Sequence, residues 1–359
     1  MQMNAPLETK FFGGSTMAIF CRRPSFILYF LLLFLFLASC KNQAHSPEVI
    51  IYTSVDQVYS EPVLQAFEKK TGIRVRPVYD VEASKTTGLV NRLIAEKDRP
   101  QADVFWSGEF AQTLLLKETG LLAAYDAPNS RTLPSPYRDP THLWTGFAAR
   151  ARVLIVNTDH LKNRQSPQSI FDLLSPQWPA DKIGLANPVF GTTATQAAAL
   201  YAFWGPEKAR GYFTDLDKRG VRILEGNSVV RDLVAGGQLW FGLTDTDDAY
   251  SAIKKGAPVA IIFPNQKEND LGTLIIPNTV ALIAGAPHPT TARALIDFLL
   301  SPEIEQQLVD SGWCHIPLHP GLRPASIEAK QVKGMAVNFE NVYRQLERSR
   351  REMTQIFIR

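Results

Sequence analysis

The sequence predicts an α/β protein built on a parallel sheet covered on both faces. β-branched runs alternate with segments of helical periodicity from Glu48 onward. Their spacing is that of strand–helix–strand units, and polar loops mark many of the strand-to-helix steps. The 359 residues suffice for two domains of ordinary size. Lys+Arg number 38 against 35 Asp+Glu, so nothing suggests the strongly basic face of a nucleic-acid binder.

The first element is a leader. Phe26–Ala38 is an unbroken apolar run of 13 residues. As a helix it would rise about 20 Å, short of a ~30 Å hydrocarbon core. Arg22 and Arg23 precede it and Leu37-Ala38-Ser39-Cys40 follows, so residues 1–39 read as a secretory signal. Met17 offers a more usual start than Met1. The Leu-Ala-Ser-Cys pattern resembles a bacterial lipobox, which implies export and lipid on Cys40, anchoring the chain to a membrane in the periplasm or at the cell surface. Residues 40–47 are then a polar tether. Loss of residues 1–39 removes Lys10, Arg22, Arg23 and Glu8, leaving 35 basic and 34 acidic side chains. Cys314 is then the one thiol left, so no intrachain disulfide can form, and a buried apolar role suits it.

After the tether, Val49–Thr53 reads as a strand, and 60–70 as a helix presenting Val63, Leu64 and Phe67, capped by Ser60 and stopped at Gly72. Strand Ile73–Tyr79, helix 85–97, strand Asp103–Trp106 and helix 108–118 follow. The proline-rich stretch 126–140 is an ordered loop or a segment boundary. A second series begins with strand 152–156, helix 168–174, strand 182–185 and helices 192–203 and 205–219. It continues with strand 221–224, helix 227–235, strand 239–243 and helix 247–255. Strand Thr279–Ile283, helices near 289–299 and 302–310 and a charged helical tail over 326–350 complete the chain.

Catalytic patterns are missing. There is no G-x-S-x-G elbow, P-loop, G-x-G-x-x-G or H-E-x-x-H, and no zinc-type Cys/His spacing. Pro317 prevents a helix from aligning His315 with His319, so both read as loop histidines. A hydrolase or lyase on this scaffold would need a nucleophile–base pair or a metal that the residues do not supply.

Six polar loops instead stand between a predicted strand and a predicted helix: Tyr52–Asp56, Asp80–Thr86, Ser107–Glu109, Gly191–Thr195, Gly226–Ser228 and Thr244–Asp248. In open α/β sheets ligands bind at the carboxyl ends of strands, where helix starts favour anions. Candidate contacts are Thr53, Ser54, Asp56, Ser84, Thr86, Glu109, Gly191, Thr192, Thr193, Asn227, Asp245 and Asp247. The ordinary alternative is that these residues cap their own helices. Thr244–Asp248 carries three carboxylates in four positions, suited to an amine, a metal cation or water. Gly191–Thr195 has no acid and suits an anion. Together they suggest a cation with an accompanying anion, or a zwitterion.

Longer patterns then carry a resemblance: L-x-x-F-E-K-K-T-G-I-R-V at Leu64–Val75, R-L-I-A-E-K at Arg92–Lys97, A-D-V-F-W at Ala102–Trp106 and W-T-G at Trp144–Gly146. Asn157, G-T-T-A-T at Gly191–Thr195, P-N-T-V-A-L-I at Pro277–Ile283 and I-P-L-H-P at Ile316–Pro320 extend it over nearly the whole mature chain. The chain resembles the family 1 extracellular solute-binding proteins of ABC transporters, in the branch that holds ferric-iron, thiamine and phosphorylated-solute binders. The resemblance implies a periplasmic-binding-protein-like type II fold, with two doubly wound lobes joined by a two-crossing hinge. Lobe one would comprise 48–149 and 277–359, lobe two 150–276. It further implies a monomeric, non-enzymatic receptor serving an ABC permease and ATPase, or a sensor of the same solutes. Ferric iron with a synergistic anion is the first ligand expectation, held by Asp56, Glu109, Asp245 and Tyr250. The alternative is a phosphorylated or phosphonate solute such as a sugar phosphate, aminoethylphosphonate or thiamine phosphate. The adjacent tyrosine pair of ferric-iron relatives has no counterpart here, and Tyr250 is the nearest phenol.

Overall fold

The structure is a computed structural model and describes residues 46–80, 87–162 and 164–358. The leader, Cys40, Ser84 and Thr86 lie outside the described residues. Among those described, no helix is long and apolar enough to cross a membrane.

The first series runs β1 (Glu48–Thr53), α1 (Gln57–Thr71), β2 (Arg74–Tyr79), α2 (Thr87–Ala95), β3 (Val104–Ser107), α3 (Ala111–Glu118) and β4 (Leu122–Ala123). Helix α1 starts three residues before the expected position. Ser60 therefore caps nothing; it lies buried inside the helix, its hydroxyl donating to the Val55 and Asp56 carbonyls at 3.1 Å each. Gly72 ends the helix as expected, in the left-handed region at φ 70°. The proline-rich loop is ordered by two 3-10 turns, Pro128–Thr132 and Ser135–Tyr137.

The next strand, β5 (Thr145–Asn157), has 13 residues where the sequence predicted five. Gly146, Ala148, Ala149 and Ala151 carry little β signal, yet smallness is what the position requires. A Cβ on Gly146 would lie 3.0 Å from that of Pro277. After α4 (Thr158–Leu161), the expected helix 168–174 is a 3-10 turn, Ile170–Leu174, closed by a Ser169–Asp172 capping box. Then come β6 (Ile183–Ala186), α5 (Gly191–Trp204), α6 (Pro206–Arg219), β7 (Arg222–Leu224), α7 (Asn227–Ala235), β8 (Phe241–Asp245), α8 (Thr246–Lys254) and β9 (Val259–Ile262), the last an unpredicted strand. The chain closes with β10 (Ile275–Ile283), α9 (Pro289–Leu299), α10 (Pro302–Ser311) and α11 (Phe339–Phe357).

Strand order is β2-β1-β3-β10-β5-β8-β6-β7, with β4 on β10 and β9 on β5. The pairs β1–β2, β1–β3, β6–β7 and β6–β8 are parallel, as the alternation requires. The sheet is nevertheless mixed, because β5 and β10 run antiparallel to all their neighbours. Up to Ala151, β5 pairs with β10; from Arg152 it pairs with β8. All nine residues of β10 are buried, as befits a strand covered on both faces.

Helix α11 departs from the assignment of the whole 277–359 segment to lobe one. It lies along α5 and α6, where Tyr201 donates its hydroxyl to Glu352 at 2.7 Å. Its first turn reaches the other way: Phe339 packs on Phe110, Tyr137 and Trp144, and Glu340 pairs with Lys117. The tail is charged on one side only, and Phe339, Val342, Met353 and Ile356 form its buried stripe.

Candidate functional site

Two arginines on β5 organise the strand-end loops. They are two residues apart and so share a face of the strand. Arg152 is fully buried. Its Nε donates to Gln196 at 3.0 Å, Nη1 to Thr192, Asn227 and Asp245 at 3.2, 3.0 and 2.7 Å, and Nη2 to Thr193 at 3.1 Å. Arg150 donates Nη1 to Asp247 and Nη2 to the Gly108 carbonyl, each at 3.0 Å, and lies over the Trp313 ring at 4.9 Å. It therefore links the loop after β3 to the loop after β8. Burial alone would lower its pKa, but Asp247 and Asp245 hold it above the usual value.

Each acid of the Asp245, Asp247, Asp248 group has its own guanidinium: Arg152 at 2.7 Å, Arg150 at 3.0 Å and Arg231 at 2.9 Å. Burial and then the two neighbouring carboxylates push Asp248 up to about 7, against the pull of Arg231 and Arg150. One oxygen of Asp247 is buried without a hydrogen-bond partner. Asp247 and Asp56 both raise the Tyr59 phenol after burial has done so, which places all three in one electrostatic neighbourhood. Tyr59 packs on Trp313 at 5.1 Å, and Trp313 Nε1 donates to Asn278 at 3.0 Å.

Tyr250 and His315 stack face to face, centroids 4.2 Å apart and planes within 5°. Both imidazole nitrogens of His315 are buried without partners. Burial, then Arg150, pulls its pKa from 6.5 down to about 3. The folded state thus refuses a proton that the unfolded chain accepts. This stability is complete above the unfolded value and is lost as pH falls from 6.5 towards 3. His315→Gln is expected to flatten the decline in unfolding free energy over about pH 4–7 by up to ~1.4 kcal/mol per pH unit. Urea unfolding at several pH values checks it, and an unchanged slope would refute the assignment.

The expected contacts fall into distinct roles. Thr53 accepts from the Val55 amide at 3.1 Å and Ser54 from the Gly108 amide at 3.1 Å, so both brace their turns. Glu109 caps α3, accepting from the Ala111 and Gln112 amides at 2.8 and 3.2 Å; burial pushes its pKa up. At the starts of α1, α5, α7 and α8 the N-cap residues Asp56, Phe190, Gly226 and Asp245 make no side-chain cap hydrogen bond to their own helices. Gly191 opens α5 at φ 56°. Thr192, Thr193, Asn227 and Asp245 are drawn together, but around Arg152.

Of the expected metal set of Asp56, Glu109, Asp245 and Tyr250, Asp245 alone belongs to a cluster of three acids among the described residues. The acids close enough to share one ion, within 4.8 Å, are Asp245, Asp247 and Asp248 among the described residues. Glu109 is committed to its helix and Asp245 to Arg152, the counter-charge that the sequence reading missed. A cavity of about 280 Å³ between Pro136, Trp144 and Phe339 contains none of these residues. His319 pairs with Glu305, and Cys314 is buried as expected.

Residues 63–333 match the family model described as bacterial extracellular solute-binding protein. The chain belongs to that family. Members bind solutes outside the cytoplasm, which agrees with an exported chain. A Salmonella typhimurium periplasmic protein assigned to 2-aminoethylphosphonate binding is 26% identical over 298 residues, 80% of this chain and 84% of that one. An Fe(3+)-binding periplasmic protein of Serratia marcescens is 25% identical over 265 residues, 72% and 75% of the two chains. A Trichodesmium protein solved with iron and citrate superposes with a TM-score of 0.76 at 22% identity, covering 87% of this solute-binding chain and all of its own. The fold is that of the type II periplasmic binding proteins.

Proposed function

We propose that this solute-binding protein captures a small zwitterion carrying a phosphonate or phosphate group and delivers it to an ABC permease and ATPase. The observation that carries this reading is the pairing of all three clustered aspartates with arginines. A hard cation needs uncommitted carboxylates, whereas an oxyanion suits buried guanidinium groups and uncapped helix starts. The partnerless oxygen of Asp247 leaves one acceptor for an ammonium group. The Salmonella relative assigned to aminoethylphosphonate supports the same chemistry.

Ferric iron with a synergistic anion is the second reading. The 4.8 Å grouping of Asp245, Asp247 and Asp248, and the ferric-binding relatives, favour it. Parallel calorimetric and absorbance titrations of the apo protein separate the two. Saturable binding of 2-aminoethylphosphonate, with no visible charge-transfer band on adding chelated ferric iron, is the expected result. A band without phosphonate binding would reverse the assignment.

In this reading the protein performs no catalysis and acts as a monomer, tethered through lipid on Cys40. The lobes close about β5 where it changes neighbours at Ala151/Arg152, and about β10 where its register shifts at Pro277/Asn278. Val58 and Phe190, 72% and 61% exposed at the starts of α1 and α5, would be covered on closure.

A further inference from the structure

We propose that Arg152 is a positioning residue that keeps the start of helix α8 open in the ligand site. The inference rests on the oxyanion reading above. Arg152 is fully buried on β5 and reaches acceptors on three other segments: the first turns of α5 and α7, and the end of β8. The acceptors are tied to one another as well. Thr192 donates to Asp245 at 2.6 Å, while Asn227 donates to Thr192 at 2.8 Å and to Asp245 at 3.0 Å.

This closed network explains an oddity at α8. Asp245 stands at the N-cap position, where aspartate is among the preferred residues, yet its side chain caps nothing. One oxygen is held by Arg152, the other by Thr192 and Asn227. Thr192, Thr193 and Asn227 are likewise turned onto the guanidinium, but they lie inside α5 and α7, whose N-cap residues Phe190 and Gly226 have no side-chain acceptor. Arg152 therefore diverts the side chain placed to cap α8 and leaves the first N–H groups of that helix for an incoming oxyanion. Charge balance is preserved, because Asp245 offsets the buried guanidinium.

Removing Arg152 alone would strand Asp245 as a buried charge. The test therefore uses the uncharged pair Arg152→Met/Asp245→Asn, in which the Oδ1 of the introduced asparagine is released to cap α8. Three quantities are measured: the thermal midpoint, the Kd for 2-aminoethylphosphonate, and amide exchange at Asp247 and Asp248 by NMR. The expected result is a thermal midpoint close to wild type, a Kd weakened at least about 10-fold and slower exchange at those two amides. Unchanged affinity and unchanged exchange in a folded variant would overturn the proposal. A wild type that ignores the phosphonate refutes the oxyanion reading instead, and the exchange measurement still decides the diversion of the cap.

Discussion

Glu305→Ala is expected to lower the unfolding free energy by about 3–5 kcal/mol, a large share of the ~5–15 kcal/mol available to a folded domain. Glu305 is fully buried on α10. One oxygen accepts from the Ala148 and Leu318 amides at 2.6 and 2.7 Å; the other accepts from the His319 amide at 2.9 Å and pairs with the His319 ring. Alanine would strand three buried backbone N–H groups and an imidazole. The position matters beyond stability. Ala148 has φ 45°, a left-handed conformation costly for alanine, and Glu305 and Asn278 hold it from either side. Arg150 lies two residues further along the same strand. Glu305→Gln keeps one acceptor oxygen and should lose only about half as much. Urea unfolding of the three proteins provides the check. A loss below ~1 kcal/mol for alanine would mean that water or rearrangement satisfies these groups.

Asp247→Asn should weaken 2-aminoethylphosphonate binding by about 10- to 100-fold, the range of one hydrogen bond to a charged group, while leaving methylphosphonate affinity nearly unchanged. The two oxygens of Asp247 differ in their surroundings. One receives Arg150 at 3.0 Å and the other is buried without a partner. An ammonium group supplies the missing donor, and methylphosphonate does not. Asparagine still accepts from Arg150, so the guanidinium should stay in place. Calorimetric titration of both ligands against both proteins separates the contributions. Equal losses for the two phosphonates would place Asp247 in scaffolding and remove the amine from the proposed ligand.

Much of this architecture is legible along the chain. Val49–Thr53 and Ile183–Ala186 announce strands through runs of apolar, often β-branched residues, and Gly72 and Gly205 mark helix ends through their conformational freedom. The first half of β5 is hidden because its alanines and glycine are chosen for close packing against β10, which a propensity scale does not register. Arg152 is hidden for the opposite reason: arginine ordinarily belongs to the surface, so nothing local marks one as buried. The capping alternative is a fair expectation for every loop. Glu109 fulfils it, and Asp245 does not, because an acceptor bonds the nearest strong donor wherever in the chain that donor originates.

The sequence by itself determined the α/β alternation, the family, the polar character of the strand-end loops and the absence of an adjacent tyrosine pair. Those properties follow from periodicity and residue type, which are local. Only the tertiary structure decided which carboxylates remain available. Arg150 and Arg152 meet Asp247 and Asp245 across 97 and 93 residues of chain. A buried carboxylate's chemistry is set by the charges within a few ångströms of it, and only the folded sheet brings those charges there.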